Sequence, residues 1–254
     1  MNKSFTIDYP LQLHDLSVDA RMRSWTVFNY LQDAAGRHAD QLGLGLKQLR
    51  DSDLSWVLSR IRVRMKQFPE YGDTIRVTTW PSGFDRLFAY RQFRLSSADG
   101  TKEFGVAGSA WLTLNPANYR PVSPAKYLTG LPQWENDDEI FFQGETLGKL
   151  RAGENSFTGE EINHRISCAQ IDYNRHLNNA YYAMFCEDYL GEACGKLVRM
   201  TEVQLNFNAS TACRELLAVS GSTDDDGTFY IQGINSSGKN AFQAQGSFDV
   251  IELF

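Results

Sequence analysis

The chain has 254 residues, 42% hydrophobic and 22% charged, with a formal net charge of −6. That is length for two ordinary domains and apolar material for a sizeable core, while the acidic balance argues against nucleic acid as the main partner. Aromatic residues at 13%, with sixteen Phe and eleven Tyr, favour strands or an apolar binding slot over a charged helical bundle.

The N-terminal residues carry no apolar run of the signal-peptide kind, and nowhere do eighteen apolar residues follow one another. A cytoplasmic protein with no membrane contact is expected. Phe5, Ile7 and Tyr9 alternate with polar residues and predict a half-buried strand. Over 24–42 the period is helical: Trp25, Phe28, Leu31, Ala35, Ala39 and Leu42 make one apolar stripe, with Ser24 placed to cap it and Gly43 to stop it. Asp33 and His38 stand five apart on that helix, too far around to face each other, and His38 reads as structural. From 55 to 65 the period returns to two. Trp56, Leu58, Arg60, Arg62 and Arg64 take one side, and Val57, Ile61, Val63 and Met65 mostly the other. Strands over 74–80, 88–95 and 106–114 complete an antiparallel meander, with a turn at Asp99-Gly100. Over 115–149 the period breaks. Pro116, Pro121, Pro124 and Pro132 and an acidic run at 135–139 predict a linker lying over a surface.

The second half replays the first. A strand over 161–167 and a helix over 180–194, with Tyr181, Met184, Phe185 and Asp188 on one face, precede strands over 202–208, 215–221, 228–234 and 241–252. The turn at 235–239 matches 97–101, and 214–219 matches 72–77. A sheet wrapped around a long apolar helix is a stable two-layer solution, so two such copies predict an α+β chain, a double hotdog. Cys168, Cys186, Cys194 and Cys213 all lie in this half without a Cys-x-x-Cys pair, poor material for a disulfide framework or a zinc knuckle.

Just before the second helix runs Ile171-Asp172-Tyr173-Asn174-Arg175-His176-Leu177-Asn178-Asn179. Asp172, Asn174 and His176 alternate, so an extended backbone would point all three to one side. Such a trio beside a helix N-terminus could move a proton and stabilise a developing negative charge, with backbone N–H groups of the helix start as oxyanion donors. The same residues also suit a plain polar loop, Asp172 and Asn174 making local turns and Asn178 capping the helix. Placing Asp19 against Asp172 sets Arg21 opposite Asn174 and Arg23 opposite His176, so the first copy lacks the trio.

Four stretches together carry a family resemblance: 27–35 (Val-Phe-Asn-Tyr-Leu-Gln-Asp-Ala-Ala), 56–60 (Trp-Val-Leu-Ser-Arg), 69–73 (Pro-Glu-Tyr-Gly-Asp) and the 172–179 run followed by Tyr182. They resemble acyl-acyl-carrier-protein thioesterases of the plant plastid and bacterial type, in order and over nearly the whole chain. The resemblance implies a double hotdog that hydrolyses a fatty acyl thioester, with acyl carrier protein as donor and no cofactor or metal. It implies an N-terminal hotdog over 1–130 that holds the acyl chain, a linker over 131–156 and a catalytic hotdog over 157–254. Asp172, Asn174 and His176 would be catalytic, Asn178, Asn179 and Asp188 supporting, and Trp25, Phe28 and Trp56 would line the slot. Plant members carry a Glu-Cys pair on the strand after the helix; here Ser210 and Thr211 fall at that pair, and Cys213 and Glu215 miss it. Either that acid is dispensable or another carboxylate supplies it; Asp188 falls where the family has its own helix glutamate and could hydrogen-bond the active loop, or be a solvated surface residue. Arg60, Arg62, Arg64 and Lys66 would form a basic stripe for an acidic carrier or else pair with carboxylates of the sheet. An acyl-CoA thioesterase, an enoyl thioester hydratase and a non-catalytic acyl-binding protein are the competing readings. A homodimer stays open, because hotdog units pair and a double hotdog already holds its own pair.

Overall fold

The computed structural model describes residues 3–131, 139–153 and 159–252. Pro132 and the acidic residues 135–138 of the expected linker lie outside them. The chain divides into two compact units, one of residues up to 13 with 29–148 and one of 14–28 with 149 onward.

The first unit contains β1 (Phe5–Pro10), α1 (Val27–Gln41), α2 (Leu46–Asp51), β2 (Ser55–Met65), β3 (Thr74–Phe84), β4 (Ala89–Ser97), β5 (Glu103–Leu114), β6 (Pro121–Val122) and α3 (Ala125–Leu128). Its strands run antiparallel in the order β1-β3-β4-β5-β2, with β6 on β5. The second unit contains β7 (Ile162–Arg165), α4 (Asn179–Cys194), β8 (Val198–Phe207), β9 (Leu216–Thr223), β10 (Thr228–Asn235) and β11 (Asn240–Val250). Its order is β7-β9-β10-β11-β8, again antiparallel. Each copy therefore places the strand before its helix at one edge and the strand after it at the other, and the chain is an α+β double hotdog.

Helix α1 buries Phe28, Leu31, Ala35 and Leu42 of the expected stripe, with His38 at 1% exposure in the same row. His38 Nδ1 meets Arg91 Nη1 at 2.9 Å, the guanidinium also donates to Thr79 Oγ1 at 3.2 Å, and Phe5 stacks on the imidazole. These contacts are those of a packed core histidine. Ser24 is not the cap of α1. It lies in a 3₁₀ turn, Ser24–Thr26, that leads into the helix. In β2 a bulge between Leu58 and Arg60 flips the parity, so Leu58 is buried with Ile61, Val63 and Met65 while Val57 is exposed. A strict period of two could not register that extra residue.

The arginines of β2 do not form an open basic stripe, because a later segment of the chain lies over them. Arg60 and Arg62 donate to the carbonyls of Leu147 and Thr146, Arg60, Arg62 and Arg64 lie over the Phe88 and Phe142 rings, and Lys66 pairs with Glu103. Residues 141–147 thus cover that face, anchored further where Gln92 Oε1 accepts from the N–H groups of Phe141 and Phe142.

Helix α4 turns inward a face different from the one expected. Tyr182, Ala183, Phe185, Cys186, Tyr189 and Leu190 are buried, whereas Tyr181 and Met184 are half-buried and Asp188 is exposed. Tyr189 fixes that rotation, since its hydroxyl both donates to the Gly221 carbonyl and accepts from the Gly221 N–H. Gly195 ends the helix in the left-handed conformation, at φ 62°.

Candidate active site

The run from Ile171 to Leu177 is a tight hairpin turn rather than an extended strand. Ile171 and Leu177 form an antiparallel bridge, the Asp172 N–H donates to the His176 carbonyl at 2.9 Å, and the Arg175 N–H donates to the Asp172 carbonyl at 3.0 Å. Arg175 closes the turn at φ 65°, the left-handed residue that such three-residue hairpin loops require. Asp172, Asn174 and His176 are half-buried, while Tyr173 and Arg175 are exposed.

Asp172 Oδ1 accepts from the Asn174 N–H at 2.8 Å and, more loosely, from the His176 N–H at 3.5 Å. The carboxylate is thereby aimed by its own loop. Among the described residues, Asp172 Oδ2 and the side chains of Asn174 and His176 make no hydrogen bond. Three half-buried polar groups are left uncommitted where they adjoin the start of α4.

Asn178 caps α4 as expected, its Oδ1 accepting from the Ala180 N–H at 2.9 Å, and the Asn178 carbonyl accepts from the Tyr181 N–H. The cap consumes most of the donors anticipated for an oxyanion. Among the described residues, the Asn179 N–H makes no such bond.

Behind the turn, the Leu177 N–H donates to the carbonyl of Thr211, which is fully buried. Tyr182, on the buried face of α4, donates its hydroxyl to Thr211 Oγ1 at 3.2 Å. Burial pushes the Tyr182 hydroxyl up to about 12, the Thr211 contact opposes this, and the Glu215 and Asp172 charges add to it. Ser210, at the other half of the expected Glu-Cys position, is exposed, with its carbonyl accepting from Asn235 Nδ2. Glu215 accepts from the Ala212 N–H. Cys213 is bonded to Cys168, a single disulfide in a chain whose cysteines read as poor material for a disulfide framework. The partners lie 45 residues apart and meet only through the fold, so their spacing in sequence carries no signal.

Asp188 makes no hydrogen bond to residues 171–179 among the described residues. Its charge acts with or on His164, Glu192, Cys186 and Glu187, and it is the neighbouring Glu187 that turns inward to Ser24. Trp25 stacks on Tyr181 of α4 within the second unit, at 6.3 Å between centroids. Phe28 is buried, and Trp56 donates to the Leu44 carbonyl and packs with Tyr127, Leu128 and Ala89 in the first unit.

A second turn of the same build precedes α1. Leu16 and Met22 bridge, the Ser17 N–H donates to the Arg21 carbonyl, the Ala20 N–H donates to the Ser17 carbonyl, and Ala20 has φ 59°. A 3₁₀ turn comes before each, Leu13–Asp15 and Cys168–Gln170, and Arg23 N–H to Asp15 carbonyl repeats as Asn178 N–H to Gln170 carbonyl. These matches set Ser17 against Asp172, Asp19 against Asn174 and Arg21 against His176, two residues from the register the sequence comparison gave. Asp19 is committed: Arg199 of β8 donates to both its carboxylate oxygens, at 2.7 and 2.9 Å, and holds its pKa below the ordinary 3.8. Residues 14–28 thereby pack into the second unit, reinforced by Ser24, which contacts Glu187 and accepts from the Met200 N–H.

Comparison with known proteins bears on the whole chain. The chain is 24% identical over 193 residues to a chloroplastic acyl-acyl-carrier-protein hydrolase of Cuphea viscosissima, and 24% identical over 189 residues to a chloroplastic palmitoyl-acyl carrier protein thioesterase of Gossypium hirsutum. Each match takes in 70% of this chain but 45% of the relative, so the chain spans about half the length of these curated relatives. The fold is that of an acyl-ACP thioesterase from Bacteroides thetaiotaomicron, with a TM-score of 0.84 at 20% identity over 97% of this chain and 98% of that one. The 12:0-ACP thioesterase from Umbellularia californica gives the same score at 16% identity over 99% of both chains. Residues 2–127 match the acyl-ACP thioesterase N-terminal domain and residues 154–249 the C-terminal domain, and the chain therefore belongs to the acyl-ACP thioesterase family.

Proposed function

We propose that this protein hydrolyses the thioester of acyl-acyl carrier protein, releasing a free fatty acid and the carrier thiol. What carries the reading is the contrast within the second unit: of two turns with one backbone, the first spends its polar group on Arg199, and the second leaves Asp172, Asn174 and His176 half-buried and uncommitted. Family membership names the chemistry that such a trio serves.

In this reading water adds to the thioester carbonyl, the C–S bond breaks as the tetrahedral intermediate collapses, and the proton of the water ends on the departing thiolate. Asp172, oriented by the Asn174 N–H, and His176 are the two groups that move that proton. The Asn174 amide and the Asn179 N–H at the start of α4 are the donors for the oxyanion, with the helix dipole adding to the second. Neither Asp188 nor a carboxylate at position 210 or 211 has a part in it. The first unit holds the acyl chain, and acyl carrier protein rather than coenzyme A is the donor.

Panels of acyl carrier protein and CoA thioesters, assayed for free acid and free thiol together, test this. The reading expects release from the carrier-protein donors, and a fall of roughly 10²–10⁴-fold in Asp172→Ala and His176→Ala with the fold intact. No release from either donor, or full activity in both variants, would overturn it; a preference for CoA would move the substrate assignment.

A further inference from the structure

The disulfide has a place in the fold that the proposed chemistry does not use. Cys168 opens the 3₁₀ turn whose last residue, Gln170, accepts the Asn178 N–H, and only Ile171 then separates that turn from Asp172. Cys213 stands two residues after Thr211, which accepts the Leu177 N–H at the far side of the same hairpin. Around them the Arg214 N–H donates to the Ile166 carbonyl at 2.8 Å and the Ile166 N–H to the Glu215 carbonyl at 2.9 Å. Residues 211–215 therefore hold the catalytic hairpin at its entry, through Cys168 and Ile166, and at its exit, through Leu177. Thr211 also ties this strap to α4 through Tyr182.

The first copy repeats one backbone bond of the strap, without the covalent link. The Leu11 N–H donates to the Asp73 carbonyl as Ile166 does to Glu215, and by these matches Leu13 and Tyr71 occupy the places of Cys168 and Cys213. Both are well exposed, at 71% and 64%. The cross-link belongs to the copy that carries the trio. It is also within reach of solvent, with Cys168 exposed and Cys213 half-exposed. The buried Cys186, its thiol pushed well above its ordinary range by loss of solvent, is no competing partner for exchange.

We propose that the Cys168–Cys213 disulfide and Thr211 are positioning elements for the Asp172 hairpin, and that reduction of the disulfide by an external dithiol slows the hydrolase. The proposal rests on the thioesterase reading and adds a redox dependence to it. In the step itself a dithiol thiolate attacks one cysteine sulfur and the S–S bond breaks. The second thiol of the reagent then closes its own disulfide, leaving two protein thiols and a reagent oxidised by two electrons. A hairpin free to drift by an ångström loses alignment of the trio without losing the substrate, so the turnover number falls while KM holds.

The test compares the full chain before and after dithiothreitol, together with the double variant Cys168→Ser/Cys213→Ser and, separately, Thr211→Val. Thiol titration of the unfolded, unreduced protein should find two free cysteines, and four after reduction. Reduction should lower kcat on acyl-acyl carrier protein roughly tenfold at unchanged KM, reversibly on reoxidation. The double variant should show the lowered rate in either condition, and Thr211→Val a lower kcat with the disulfide still in place. Four free thiols at the outset, equal rates in all forms, or a loss of rate that merely follows loss of fold by circular dichroism would overturn it. Absence of hydrolysis by the oxidised wild type would instead sink the thioesterase reading.

Discussion

The hairpins at 17–21 and 172–176 share a bridge, a left-handed fourth residue and a preceding 3₁₀ turn, yet their side chains go to different ends. In the first, Asp19 meets Arg199 in a bidentate pair whose side chains are 14% and 9% exposed, and the loop becomes a fastener for the second unit. In the second, among the described residues, the carboxylate of Asp172 is held by N–H groups of its own turn alone. Duplication supplies a geometry twice, and what distinguishes a site from a strut is whether the polar groups in it are already satisfied.

The largest effect expected is the loss of hydrolysis in Asp172→Ala and His176→Ala set against Ser17→Ala, whose position in the sister turn should leave turnover unchanged. Next comes the fastener. Arg199→Ala strands Asp19 in a nearly buried position and should destabilise the fold by about 3–5 kcal/mol, read by denaturant titration, with any loss of activity following loss of fold. The pair also sets a pH dependence. Because Arg199 lowers the Asp19 pKa from 3.8, its contribution is complete above that value and is lost as pH falls through the lowered one. Acid unfolding of Asp19→Asn should accordingly be flatter below pH 4 than that of wild type.

A smaller change is expected from Asn178→Ala, which removes the cap of α4 and should cost about 1 kcal/mol. Glu187 works in the opposite sense to Asp19. Burial raises its pKa from 4.5 against the pull of Ser24 and Arg199, so its contribution is greatest below the unfolded value and fades as pH rises through the raised one. Glu187→Gln should therefore raise Tm modestly at neutral pH and little at pH 4. The smallest effect is Ala20→Gly, which relieves a left-handed alanine in the sister turn and should stabilise by up to about 1 kcal/mol.

Much of this was legible in the chain. Alternation and helical stripes located every long strand and both main helices, and the turn matches at 97–101 and 235–239 gave the duplication. The matched pairs Gly100 N–H to Ser97 carbonyl and Gly238 N–H to Asn235 carbonyl close those turns in the structure. What the chain hid has definite causes. The β2 bulge inserts a residue that periodicity cannot count, and the face of α4 is chosen by a tyrosine hydroxyl gripping Gly221 across the sheet. That Asp172, Asn174 and His176 point to one side was inferred from an extended backbone, where the structure has a turn. The register between copies was misplaced by two residues because Asp19 invites pairing with Asp172, whereas the backbone pairs it with Asn174. The disulfide and the covering of the β2 arginines join distant parts of the chain, and no local pattern announces either.

The most direct test is the rate of thiol release from acyl-acyl carrier protein by Asp172→Ala and Ser17→Ala, measured side by side on protein shown to be folded. The account predicts a collapse of the rate in the first and the wild-type rate in the second. Comparable rates in the two variants would contradict the claim that only one of these matched hairpins does chemistry.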